Sequence, residues 1–120
     1  MSEPTVLVVE DNVNLRQSLI MFLEMEGIST LAAADGSEAV EILKDHAPNV
    51  VLLDMQLPGK VSGLALLRAI KRSAKFSSTR VVLHTAEPNA PNLPEAVVAD
   101  FVIVKPAELD ELLALIRRLF

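Results

Sequence analysis

A chain of 120 residues with a hydrophobic share of 51% can build one real core and has no room for two. Its net charge of −5 works against contact with a nucleic-acid backbone, which needs clustered Lys and Arg, and points to a cation or a protein as partner. It contains no cysteine, which removes disulfides and thiolate metal sites and suits a reducing compartment.

The opening MSEPTVLVVEDN has neither a basic start nor a small-residue cleavage site, and no apolar run approaches the roughly 20 residues of a membrane span. The expectation is a soluble, cytoplasmic protein without membrane contact, one domain over 1–120. The run TVLVV at 5–9 reads as a first strand, apolar without alternation, as strands covered on both faces are. A helix follows, with Leu15, Leu19, Phe22 and Leu23 on one face, Asn12 or Asn14 as N-cap, and Gly27 as the stop. STLAAA at 29–34 is a second strand, and the turn ADGSE leads to a helix carrying Ala39, Val40, Ile42 and Leu43. VVLL at 50–53 is the third strand, ended by Asp54 and a Pro58-Gly59 turn. Leu64, Leu67, Ala69 and Ile70 stripe a third helix, and RVVLH at 80–84 is a fourth strand. The stretch 86–100 then carries Pro88, Pro91 and Pro94. Each removes a backbone donor and disfavours helix before it, so at most a short helix from about Pro94 to Ala99 is expected. FVIV at 101–104 is the fifth strand, and Leu109, Leu112, Leu113, Ile116 and Leu119 stripe a last helix after Pro106.

Alternating strand and helix predicts a doubly wound parallel sheet with right-handed crossovers. Ligands of such sheets bind beyond the carboxyl ends of the strands. There the sequence places Glu10 and Asp11 after the first strand, Asp54 after the third, Thr85 at the fourth, and Lys105 with Pro106 after the fifth. Singly, these are ordinary turn formers, caps, a solvated lysine and a helix-opening proline. Together, acids at two strand ends, a hydroxyl at a third and a lysine at a fourth compose one complementary site. A flavin-binding protein of the same topology would need a phosphate-cradling loop after the first strand, where VVEDNVN is acidic.

With VLVVEDN, VVLLDMQLPG, VVLHTAE and FVIVKP in this order, the chain resembles the receiver domain of two-component response regulators. The resemblance implies a five-stranded doubly wound sheet in the flavodoxin-like order 2-1-3-4-5, an order for which a chemotaxis receiver is the known example. It implies that Asp54 accepts a phosphoryl group from a histidine kinase or histidine phosphotransfer protein, and that the switched surface controls a downstream effector domain or protein. Such a chain is no enzyme in the usual sense, although it catalyses its own phosphorylation and dephosphorylation. Three carboxylates at one rim repel each other, and a hard divalent cation, Mg²⁺, relieves this. Asp11 and Asp54 are expected as direct ligands and Glu10 through water, with the backbone carbonyl of Gln56 completing the set by resemblance. Lys105, the Thr85 hydroxyl and the backbone N–H of Ala86 are expected on the phosphoryl oxygens, and Pro106 is expected to follow a cis peptide. Two other readings stand beside the switch: a relay passing phosphoryl groups to another histidine protein, and a degenerate receiver acting by binding alone.

Several features depart from the pattern. Receivers commonly carry an aromatic residue three places before the lysine. Here that place is Val102, and Phe101, one residue away, should point to the opposite face, so the usual Thr-aromatic coupling is expected to be weakened or replaced. The proline-rich stretch predicts a shortened or irregular fourth helix, hence an unusual partner or a homodimer through the face of the fourth and fifth helical segments. The loop from Asp54 to Gly63 is one residue longer than usual and should bulge. His46 is expected to be exposed, and His84, alternating with Thr85, is expected to face away from the site.

Overall fold

The computed structural model describes residues 4–120. Its elements are β1 (Thr5–Val9), α1 (Val13–Met25), β2 (Ser29–Ala33), α2 (Gly36–Asp45), β3 (Val50–Leu53), α3 (Gly63–Arg72), β4 (Arg80–Thr85), β5 (Phe101–Val104) and α4 (Leu109–Arg118). All strand pairs are parallel and the order is β2-β1-β3-β4-β5, as the resemblance implies.

The unbroken apolar runs follow from burial on both faces. Leu7, Val9, Val51, Leu53, Val81 and Leu83 pack with α2 and α3. Val6, Val8, Val50, Leu52 and Val82 pack on the other face with α1 and α4. Asn12 is the N-cap of α1, its Oδ1 accepting the Leu15 N–H at 2.9 Å, and Gly27 takes the positive φ of 80° that turns the chain out of the helix. Asp35 caps α2 by accepting the Glu38 N–H, while Glu38 accepts the Ala34 N–H. That reciprocal bond uses the donor Ala34 would need to extend β2, so the strand stops at Ala33 and not at residue 34. In α3 the buried stripe is Leu66, Leu67 and Ile70; Ala69, assigned to it from sequence, lies on the exposed side.

Where at most a short helix is expected, from about Pro94 to Ala99, there is no α-helix, in keeping with an irregular segment. The segment holds a single 3-10 turn at Ala90–Asn92 and then hydrogen-bonded turns, with Val97 N–H to Leu93 O at 3.2 Å as its one helix-like bond. Pro88, Pro91 and Pro94 have removed donors at three-residue intervals, so no ladder can propagate. Ala90 and Ala96 anchor the segment in the interior, while Val97, Val98 and Phe101 are exposed. At the start of β5, the Asp100 carboxylate accepts from Lys71 Nζ and the Val81 N–H. Burial alone would raise its pKa, but these donors and the nearby Arg80 hold it below the ordinary value.

Candidate functional site

The ladder continues one residue past three strands, and these extra rungs fix the site. Glu10 N–H donates to Ala33 O at 3.1 Å, Asp54 N–H to Val9 O at 3.1 Å, and Lys105 N–H to Thr85 O at 2.8 Å. Each functional side chain therefore hangs from backbone held by a neighbouring strand.

Lys105 is the hub. Its Nζ lies 2.6 Å from Glu10 Oε1 and 3.0 Å from Asp54 Oδ2, joining the carboxyl ends of β1, β3 and β5. Burial by itself would lower the pKa of this ammonium; its hydrogen bonds to Glu10 and Asp54 raise it above the ordinary value instead. The second oxygen of each acid is also occupied. Glu10 Oε2 accepts the Asn12 N–H at 3.1 Å, and Asp54 Oδ1 accepts the Gln56 N–H at 3.0 Å. Both acids are buried, while Asp11 is exposed. Even so, Glu10, Asp11 and Asp54 each offer an oxygen within 4.8 Å of the others. Three hard oxygen donors on one rim fit Mg²⁺, which is held by few carboxylates and keeps several waters.

Thr85 ends β4 fully buried, its hydroxyl accepting the Glu87 N–H at 3.3 Å, and Ala86 beyond it is exposed. The Lys105–Pro106 peptide is cis. Val102 pairs with Leu83 and packs at the α2/α3 face. Phe101 pairs with Val82 and is 43% exposed, so its ring does not join the site.

His84 departs from the sequence expectation. The pairs Val9↔Leu53 and Leu53↔Leu83 put 10, 54 and 84 in one row across the sheet, on one face. Its imidazole lines a small internal space with Glu10 and Asp54, and a cleft with Leu15, Lys105, Pro106 and Ala107. Counting from Thr85 gave the wrong face, because Thr85 stands one residue further along than the acids. Only 3% of His84 is exposed and its Nε2 has no hydrogen-bond partner among the described residues. Burial first, then Lys105, lowers its pKa from 6.5 to about 4, against a smaller opposing effect of Asp54. His46 is exposed, as expected.

A buried ring that stays neutral stabilises the fold fully above its unfolded pKa of 6.5, and that stability is lost as the pH falls through about 4. The loss should reach about 3 kcal/mol. His84→Leu, which keeps the volume and removes the unpaired nitrogen, should gain about 1–2 kcal/mol at pH 7 and flatten the acid limb. Urea unfolding at pH 7 and pH 4.5 measures both, and an unchanged acid limb would rule the assignment out.

Arg16, in the second turn of α1, also went unnoticed in the sequence. Its Nη1 donates to Glu10 O at 2.8 Å and Asp11 O at 3.5 Å. A base so near a helix N-terminus opposes the helix dipole, which was the signal available.

The response regulator receiver domain model matches residues 6–117. A transcriptional regulatory protein of Bacillus subtilis, YkoG, is 35% identical over 98% of this chain and 51% of its own length. The phosphate regulon regulator PhoB of Pseudomonas aeruginosa is 34% identical over 92% of this chain and 48% of its own. This chain thus spans about half the length of these relatives. Among solved structures, the response regulator TrrA of Thermotoga maritima in complex with Mg²⁺-BeF superposes with a TM-score of 0.88 at 30% identity, covering 98% of this chain and 99% of that one. A chemotaxis response regulator of Vibrio cholerae gives 0.88 at 26% identity, covering 99% and 100%.

Proposed function

Because the chain belongs to the response regulator receiver domain family, we propose that it accepts a phosphoryl group on Asp54 from a histidine kinase or histidine phosphotransfer protein, and that its altered surface then controls an effector. The observation that carries this reading is Lys105, whose ammonium reaches Asp54 and Glu10 at once at the carboxyl rim. A buried carboxylate alone is a poor site for an incoming dianion; a carboxylate beside a fixed cation is a workable one.

The chemistry asks mainly for positioning. Asp54 Oδ attacks phosphorus as the bond from phosphorus to the donor nitrogen breaks, and the electron pair leaves with the imidazole. Gln56 N–H holds the other Asp54 oxygen and so aims the attacking one. Lys105 moves from bridging two carboxylates to pairing with a phosphoryl oxygen, and Glu10 keeps the Asn12 N–H as donor. Thr85 and the Ala86 N–H are assigned to another phosphoryl oxygen. Glu10, Asp11, Asp54 and the Gln56 carbonyl would hold Mg²⁺, which when bound neutralises charge on the transferring group. Among the described residues no helix is long and apolar enough to cross a membrane, in keeping with cytoplasmic partners.

A relay reading draws on Val102 standing where receivers carry an aromatic, since the usual coupling to the output face then lacks its ring. A homodimer would use the exposed Val97, Val98 and Phe101. Incubation with acetyl phosphate and Mg²⁺ should load one acid-stable, hydroxylamine-labile phosphoryl group, and no uptake would overturn the proposal. Amide spectra of the two states then separate the readings: shifts reaching residues 86–104 mean a switch, shifts limited to the acidic rim mean a relay. Lys105→Met should slow uptake roughly 100-fold, the scale of losing one fixed donor to developing charge; a rate near wild type would remove Lys105 from the chemistry.

A further inference from the structure

We infer that Arg16 is a positioning residue for the metal site, acting through the main chain of Glu10 and Asp11; this rests on the Mg²⁺ reading above. The acids of the rim are held in different ways. Glu10 is fixed at both carboxylate oxygens, by Lys105 and by the Asn12 N–H. Asp54 is fixed likewise by Lys105 and the Gln56 N–H. The Asp11 carboxylate is exposed and accepts no hydrogen bond among the described residues. Its aim is therefore set by its backbone alone, at a point where the chain has left β1 and has not yet entered α1.

That backbone is gripped from one side. Arg16 leaves α1, whose register is set by the Arg16 N–H bond to Asn12 O at 2.9 Å. Its guanidinium folds back on the two carbonyls that flank the turn, at 2.8 and 3.5 Å. Both bonds come from one nitrogen, Nη1, carried on a rigid planar group at the end of a side chain longer than that of lysine. The helix thus locks the loop, and the loop aims Asp11 at the point where its oxygen stands within 4.8 Å of Glu10 and Asp54. Without this donor, the ordering of the turn falls to the metal, whose affinity drops accordingly.

A guanidinium here also repels a dication, so two effects oppose. The repulsion acts through water-exposed surroundings and is screened, whereas the hydrogen bonds act at contact, so positioning should win. The variants separate the two: Arg16→Lys keeps the charge on a shorter side chain without the planar donor group, and Arg16→Gln loses both charge and reach.

Calorimetric titration with Mg²⁺ of the wild type, both variants and Asp11→Asn is the test, with phosphoryl uptake from acetyl phosphate followed across Mg²⁺ concentrations. Arg16→Gln should bind Mg²⁺ roughly 10-fold more weakly, with Arg16→Lys between it and the wild type. Half-saturating Mg²⁺ for uptake should rise by the same factor while the rate at saturating Mg²⁺ is kept. Either variant binding Mg²⁺ as tightly as the wild type, or more tightly, overturns the inference, and the lysine variant decides alone if the glutamine variant does not fold. Wild-type protein that takes up no Mg²⁺ would remove the metal reading itself and this inference with it. Binding by the wild type that Asp11→Asn leaves unchanged would remove only the route through Asp11.

Discussion

Asp54→Asn yields a folded chain that takes up no phosphoryl group. The amide keeps an oxygen where Asp54 Oδ1 accepts the Gln56 N–H, and Lys105 keeps its contact with Glu10 at 2.6 Å. The cation is left with a partner, so the several kcal/mol that follow from stranding a buried charge do not arise. What disappears is the anionic nucleophile, because an amide oxygen carries no charge to give to phosphorus. Mass spectrometry after incubation with acetyl phosphate should show one added phosphoryl group on the wild type and none on the variant, and an amide spectrum should show both folded. Equal labelling of both would take the role away from Asp54 and pass it to Glu10, the other carboxylate on the same amine.

Gly63→Ala should be among the most damaging single methyl groups the chain can receive. Gly63 opens α3 against the end of β3, its N–H donating to Met55 O at 3.3 Å. A Cβ here would collide with the Asp54 carbonyl oxygen and stand 2.6 Å from Met55 Cα and 2.7 Å from Met55 O. All three are backbone atoms, so no rotamer change relieves the clash and the helix must back away from the strand that carries the nucleophile. A loss of about 3 kcal/mol or more is expected, together with slower phosphoryl uptake because the backbone beneath Asp54 shifts. Gly59 is the control. It has a positive φ of 88° but open space around a Cβ, so Gly59→Ala should cost only about 1 kcal/mol of backbone strain. Urea midpoints of the two variants measure the difference, and equal midpoints would discredit the packing argument.

Much of this was legible because strand ends are easy to see. Apolar runs stop abruptly at Glu10, Asp54 and Lys105, and a parallel sheet gathers its carboxyl ends along one edge. The strand order came from resemblance, since periodicity carries no information about which strands are neighbours. Register was invisible for the same reason, and His84 shows the result: its face could be judged only after 10, 54 and 84 were known to share a row. Arg16 was hidden differently. In a helical pattern it looks like one more solvated base, and only the turn of the chain after β1 reveals that its guanidinium reaches carbonyls five and six residues back. The prolines at 88, 91 and 94 did announce an irregular segment, but not that three missing donors would leave no α-helix there.

The reach of Lys105 has a consequence for the weakest margin of the sheet. β5 is an outer strand with β4 as its one sheet neighbour, and outer strands are the usual place for fraying. Here the residue after β5 reaches past β4 to clasp the acids that follow β3 and β1. Loosening the margin therefore dismantles the reactive centre in the same event, and whatever grips the lysine more firmly also sews that margin shut.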